Sequence, residues 1–479
     1  MSSTVEKRRA VAESGQDAPE RILAVLLVAP FLAQVDATIV NVATPAIHAS
    51  LGASGAALEL VIGGYLVAFA VLLITGARLG QARGHRRMFL LGLALFGLAS
   101  LACGLAQSPL MLVIARVIQG AAAAAMFPQT LTGIQLRFQG AARARAIGLF
   151  TATLSTGAVV GQIAGGALVS ADIGGVGWRS VFLVNVPIVA IALAAGRRVL
   201  PADEPGNVQR LDLAGVATLS AALLLLMLPL ALGRGTGWPA WAWVCLAASA
   251  PMLWLFVTIE RQRSRASASG RAGPLLNVDV VKRPELAWAL VTLLATSGTY
   301  FALLFTLAQY LQYGLRYSAL TSGLTLVPWV AAFGLAGMLM RRIPATLAHL
   351  APTAGSLVLA LAYAGISVLL LTAGHRETAL AVIMGVGGFG LGIQFNTLIA
   401  HLTTRAPTGY AADISGVSTT VGQIGGALGV AGFGTLYFGL ATGAGARTAI
   451  HAFAATTAAY AAIATLSTFT AWRATHSYA

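Results

Sequence analysis

Charge is scarce in this chain. Only 9% of its 479 residues are charged, against about 25% in a soluble domain, while 57% are hydrophobic and the mean hydropathy is +0.81. That shortage excludes a water-solvated globule, so lipid must solvate most of the surface. Cysteine is nearly absent. Cys103 and Cys245 both fall in apolar runs, which excludes a disulfide framework or a thiolate metal site and leaves them as small buried hydrophobes. Lysine occurs only at Lys7 and Lys282, the remaining basic residues being arginine, a bias typical of GC-rich bacterial genomes. A phosphate-cradling Gly-x4-Gly-Lys-Ser/Thr loop is missing, which argues against ATP-driven work by this chain. No nucleophile–base set, metal cluster or cofactor loop is legible either. The expectation is therefore a protein that is not an enzyme and holds no cofactor and no metal.

What is present is a succession of apolar runs, each long enough to cross a bilayer as a helix. They span residues 22–47, 56–77, 88–107, 110–135, 146–170, 180–196, 213–232, 241–259, 286–309, 322–340, 349–372, 378–402, 414–440 and 448–471. The sixth is the shortest. The first is too long for the core of a cleaved signal and lacks a cleavage site, so it is expected to remain as an anchor. Fourteen spans put both termini on one side. With the N-terminus in the cytoplasm, 24 of the 30 basic residues lie on that side and five outside (Arg179, Arg234, Arg316, Arg376 and Arg447). Arg116 lies within a span. This is the positive-inside bias. It also accounts for the net charge of +15 without a nucleic-acid partner, which would gather basic groups on one soluble face.

An internal repeat orders the spans. Val160-Gly161-Gln162-Ile163-Ala164-Gly165-Gly166-Ala167-Leu168 in span 5 returns, one residue shorter, as Val421-Gly422-Gln423-Ile424-Gly425-Gly426-Ala427-Leu428 in span 13. If both are fifth helices, the chain divides into a cytoplasmic tail (1–21), a six-helix half (22–200), an inserted hairpin (201–260), a cytoplasmic loop (261–285), a second six-helix half (286–472) and a tail (473–479). The fold class expected is an all-α polytopic membrane protein. Secondary transporters are commonly built from such repeats, with substrate handled near the midplane.

Within the spans, Asp36 stands out, since a carboxylate in hydrocarbon is costly and marks function. At 1.5 Å per residue it lies roughly 21 Å above Ile22, a depth that Arg116 matches to within the error of the span edges. Arg116 opposite Asp36 would make a pair whose protonation follows conformation. Glu59, near the outer end of span 2, is a second candidate for handling protons or cations, and Asp413 an interfacial residue. Asn41, Tyr65, Gln119, Gln129, Gln312, Trp329, Gln394 and Asn396 are polar or aromatic groups placed to line a mostly apolar cavity. Gly148, Gly157, Gly161, Gly165 and Gly166 in span 5, with Gly422 and Gly426 in span 13, suit either close helix packing or a gating hinge. His85, in the loop between spans 2 and 3, reads as solvated.

The motifs resemble the major facilitator superfamily, and within it the fourteen-span drug:proton antiporters. Asp36-Ala37-Thr38-Ile39-Val40-Asn41-Val42-Ala43-Thr44-Pro45 is similar to that family's first-helix motif. Ile114-Ala115-Arg116-Val117-Ile118-Gln119-Gly120 resembles its fourth-helix motif, whose arginine is associated with proton transfer. Gly148-x8-Gly157-x3-Gly161-Gln162-x2-Gly165-Gly166 follows the helix-5 antiporter motif, and Trp178–Pro187 resembles the entry to helix 6. Two departures stand out. Ala77, Gln81 and Ala82 replace the glycine, aspartate and arginine of the usual loop after helix 2, and Gln162 stands where the helix-5 motif has proline. The resemblance implies proton-coupled efflux of hydrophobic or amphipathic small molecules across a bacterial inner membrane; the sequence does not define the oligomeric state, and a monomer is the expectation. A carrier of one specific metabolite is the alternative, one that converging charged side chains would favour. A non-transporting receptor has no need of an intramembrane Asp/Arg pair.

Overall fold

The computed structural model describes residues 2–203, 213–232, 237–267, 283–340, 344, 347, 349–405, 411–442 and 445–476, and all regular structure among them is helical. Water cannot satisfy backbone groups in hydrocarbon, so a spanning segment closes its hydrogen bonds within itself. The helices are α1 (Ser2–Leu51), α2 (Gly55–Arg83), α3 (His85–Gly104), α4 (Pro109–Arg137), α5 (Gly140–Ala171), α6 (Gly177–Val199) and α7 (Leu213–Leu232). They continue with α8 (Ala240–Ser267), α9 (Pro284–Gly314), α10 (Ala319–Met340), α11 (Ala351–Ala373), α12 (Glu377–Arg405), α13 (Ala411–Leu440) and α14 (Ala446–His476). Thirteen carry an apolar stretch long enough to span. The fourteenth, α7, has 20 residues, which at 1.5 Å each matches a hydrocarbon core of about 30 Å.

Three helices that start at the Leu51 end, α2, α4 and α10, are capped by serine. Ser54, Ser108 and Ser318 each accept from the backbone N–H three residues on, satisfying donors that the first turn leaves open. Two helices are interrupted just before a proline. α6 breaks at Val184, ahead of Pro187, and α10 at Leu326, ahead of Pro328, since a proline offers no N–H to the preceding turn. The segments expected as loops are partly helical. Residues before Ile22 continue α1, residues 261–267 finish α8 and 473–476 finish α14; 268–282, Arg234 and 477–479 lie outside the described residues.

The two six-helix halves repeat one another's packing. α1 packs on α5, α2 on α4 and α3 on α4; α9 packs on α13, α10 on α12 and α11 on α12 in the same way. The halves meet along α2–α13, α5–α10 and α1–α9. The inserted hairpin α7–α8 lies on α2, where Leu219, Leu223 and Phe256 bury Val71, with Ile424 of α13 at the edge of the same cluster.

Small residues set these distances. A Cβ at Gly161 would overlap Thr38 Oγ1 and lie 2.7 Å from the Val35 carbonyl, and one at Gly165 would lie 2.9 Å from that of Ile39. These glycines let α5 lie against the α1 backbone. Gly157 meets α1 at 3.1 Å, whereas Gly166 turns to the other half, with a Cβ position 2.7 Å from the Ala319 carbonyl of α10. The second copy of the repeat differs. Gly422 is loosely packed, 3.4 Å from Ser297 Oγ, and Gly426 meets only the Phe301 ring; backbone contact falls on Gly425 and Gly429, against Leu294 and Gly298. One residue fewer turns the helix face by about 100°, which moves the tight positions off the glycines expected. Gln162 adds a tether in place of a proline, donating from Nε2 to the Thr38 carbonyl at 3.2 Å in an unbroken α5.

Gly161→Ala is therefore expected to cost about 1–3 kcal/mol by overpacking and to lower the thermal midpoint in detergent. Gly63→Ala, whose Cβ meets nothing within 4 Å, should leave the midpoint unchanged or raise it.

Candidate functional site

Five helices of the first half contribute to the cluster around one carboxylate. Asp36 of α1 is fully buried, as is Arg116 of α4, and Arg116 Nη1 donates to Asp36 Oδ2 in a direct ion pair. Gln119, one helical turn on, donates from Nε2 to Asp36 Oδ1 at 2.9 Å and accepts from Arg116 Nη1 at 2.9 Å. Asn185 of α6 donates to the same Oδ1 at 3.2 Å and to Ser100 Oγ at 3.0 Å. Arg116 Nε donates to the Val61 carbonyl at 2.9 Å, and its guanidinium lies 4.3 Å from the centre of the Tyr65 ring, a cation–π contact. Tyr65 is held in turn by donating to the Ala33 carbonyl at 3.0 Å.

Asn185 is the member of this cluster to which the sequence had given no role. It stands in the segment resembling the entry to helix 6, two residues before Pro187, so the signal lay in the helix break and not in the residue type. Glu59 is also buried, but it lies apart from the pair, in a cavity of about 620 Å³ at the Leu51 end that His48, Tyr313 and Arg316 also line.

Four hydrogen bonds between the halves cluster at that same end. Gln309 Nε2 donates to Thr44 Oγ1 (2.8 Å), Gln312 Nε2 to the Val42 carbonyl (3.0 Å), the Tyr313 hydroxyl to the Pro45 carbonyl (2.9 Å) and Leu320 N to Ser170 Oγ (3.0 Å). The last turn of α9, Tyr310–Gly314, is a π-helix, a form that recurs at functional sites. A second cavity, of about 230 Å³, lies between the halves toward the opposite end. Its walls come from α1, α4 and α5 on one side and α9, α10, α12 and α13 on the other, among them Gln34, Phe127, Phe150, Trp329, Phe333 and Gln423.

Of the eight residues expected to line a cavity, the structure places only Trp329 there. Tyr65 and Gln119 belong to the Asp36 cluster, and Gln312 closes the Leu51 end. Asn41 donates to the Ala37 and Thr38 carbonyls of its own helix, Asn396 to that of Gly392, and Gln394 to Ser467 Oγ at 3.1 Å. Gln129 clamps three helices, donating to the Gly76 and Ala125 carbonyls and meeting His85 Nδ1 at 2.8 Å. His85 is thus half-buried and bonded to Gln129, not solvated. The physical reason is common to all: a buried amide finds an internal partner because an unpaired one is costly. In the last turns of α2 Gln81 accepts from Arg78, and Asp203, from beyond α6, accepts from the backbone N–H of Arg86 (2.7 Å) and Arg87 (3.1 Å) at the start of α3. A carboxylate there complements the helix dipole.

The sequence matches the Major Facilitator Superfamily over residues 26–430. The chain belongs to that superfamily. It is 37% identical to a protein named "Probable actinorhodin transporter" from Streptomyces coelicolor, over 87% of this chain and 72% of that one. Identity to the cephamycin export protein CmcT of Amycolatopsis lactamdurans is 34%, over 88% of this chain and 86% of that one. It is 31% to the tetracenomycin C resistance and export protein of Streptomyces glaucescens, over 87% and 76%. Among solved structures, a bacterial homologue of the human lysosomal transporter Spinster, inward-facing and occupied, shares the superfamily fold at a TM-score of 0.70 and 16% identity, covering 96% of this chain and 97% of that one.

Removing one member of a buried ion pair strands the other at about 3–5 kcal/mol, whereas removing both strands neither. Asp36→Asn and Arg116→Met should each lower stability in a denaturant titration in detergent, and the double variant should lose less than the two losses added.

Proposed function

We propose that this chain is a proton-driven exporter of hydrophobic or amphipathic small molecules, antibiotics and dyes among them, working as a monomeric carrier by alternating access in the cytoplasmic membrane of a bacterium. The observation that carries the reading is the position of α1. Gln34 faces the cavity between the halves, and Asp36, about 200° further round the same helix, faces the ion pair. One helix thus touches both the space for a substrate and the group that takes the proton. The export and resistance functions named for the relatives point the same way.

The arginine bias supports a topology with both termini in the cytoplasm. The 230 Å³ cavity then faces the cytoplasm and the hydrogen-bonded Leu51 end faces outward. Residues 22–200 and 286–472 act as the two bodies that rock, with 201–260 as the insertion. When a proton from outside neutralises Asp36, Arg116 loses its counter-ion and is left with the Val61 carbonyl, the Gln119 oxygen and the Tyr65 face, a cost that favours rearrangement of the halves. Gln119 and Asn185 orient the carboxylate, Glu59 gathers protons or cations at the outer cavity, and the glycine faces of α5 and α13 (Gly148 through Gly166, Gly422 and Gly426) allow the sliding that opens and closes the gates. One inward proton supplies about 2.3 kcal/mol per 100 mV and about 1.4 per unit of pH difference, sufficient to concentrate a neutral drug outside.

The test uses inside-out vesicles with an acidified lumen and a lumenal pH dye. Adding a transported compound should release protons at a rate that falls at least tenfold in Asp36→Asn. Release at the wild-type rate in that variant would overturn the assignment.

A further inference from the structure

The walls of the cavity between the halves carry a substrate preference of their own. On one side Phe127 and Phe150 meet edge to face at 5.7 Å; on the other Phe333 and Phe395 pack at 6.1 Å and Tyr300 and Phe301 at 5.2 Å. Rings that meet ring edges and faces favour a flat π-surface over a branched or globular one. Two further features narrow the ligand. The Nε1–H of Trp329, which is fully buried, the Oγ of Ser418, at 5% exposure, and the Oε1 of Gln423 have no hydrogen-bond partner among the described residues. A buried donor and acceptor of this kind are normally paired. No described lining residue is charged, and the one deeply buried carboxylate nearby on α1, Asp36, is bonded to Arg116, Gln119 and Asn185 on the opposite face of that helix.

We infer that this cavity is a binding site for an uncharged, flat, fused-ring aromatic compound with carbonyl and hydroxyl oxygens on its rim. The rings stack between the phenylalanines of the two halves. A rim carbonyl accepts from Trp329 Nε1, and a rim hydroxyl donates to Gln423 Oε1. A volume of 230 Å³, below the roughly 300–1,000 Å³ of drug-sized pockets, suits about two or three fused rings. The inference rests on reading the cavity as the transport site. It sharpens that reading in one respect: a neutral cargo exchanged for a proton moves net charge, so the membrane potential drives the cycle along with the pH gradient.

Binding can be read without any gradient, on the full-length protein in lipid nanodiscs. The probe is 2,6-dihydroxyanthraquinone, whose hydroxyls stand away from the carbonyls, at about pH 5, since the quinone makes them more acidic than the ~10 of a plain phenol, with ethidium as a planar cation of similar ring count. The anthraquinone should bind at least tenfold more tightly than ethidium. Trp329→Phe, which keeps a ring and removes the N–H, and Gln423→Leu should each weaken its binding by roughly 5–10-fold, the value of one hydrogen bond, with melting curves confirming that both variants fold. Ethidium binding as tightly as the anthraquinone, or both folded variants binding like wild type, would overturn the inference. Selective binding lost in Trp329→Phe but without proton release on transport would sustain it and sink proton-driven export; coupled export of other compounds with no anthraquinone binding would do the reverse.

Discussion

An ionised carboxylate cannot be solvated by hydrocarbon, and everything around Asp36 follows from that constraint. Its negative charge requires Arg116, and the buried guanidinium requires acceptors and a π-face of its own, which Val61, Gln119 and Tyr65 supply. Tyr65 needs the Ala33 carbonyl and Asn185 needs Ser100. The chain of obligations runs through α1, α2, α3, α4 and α6, so one charge fixes the relative placement of most of the first half. The second half carries no equivalent described pair; Gln309, Gln394 and Thr306 are bonded there through neutral groups.

α1 is the wall shared by that cluster and by the space between the halves. Its position is set by glycine: Gly161 and Gly165 bring α5 onto its backbone, and Gln162 ties the two helices across the contact. Tight backbone packing on one side and a hydrogen-bonded tip on the other leave α1 constrained along its length. A rearrangement of the halves cannot bypass it. The π-helical turn of α9 meets α1 at its tip, through Tyr313 and Gln312.

Much of this was legible beforehand. Fourteen apolar runs and one repeated nonamer define the fold class, because lipid permits so few ways to bury a backbone. Asp36 and Arg116 stood out because charge in hydrocarbon is rare. The cavity was not legible, and the reason is physical. Polar side chains such as Asn41, Gln129, Gln394 and Asn396 looked like cavity linings, but burial drove them to internal partners. The lining residues are largely phenylalanines, aliphatic side chains and small hydroxyls, whose identity in a membrane helix is the same whether they face lipid, a neighbour or a void. Asn185 escaped notice because an amide at a helix break has many ordinary uses. The one-residue shortening of the repeat was visible, yet its effect on which glycines of α13 touch α9 emerges only once the helix face is turned.

The hairpin α7–α8 removes a symmetry that the two repeated halves would otherwise have. Its residues cover α2 beside α13, while at the corresponding junction of α5 with α10 the backbones approach directly at Gly166 and Gly323, with one hydrogen bond from Leu320 N to Ser170 Oγ. The membrane therefore sees two unlike flanks: a double-thickness one, and a single-thickness one whose closure depends on two residues without side chains.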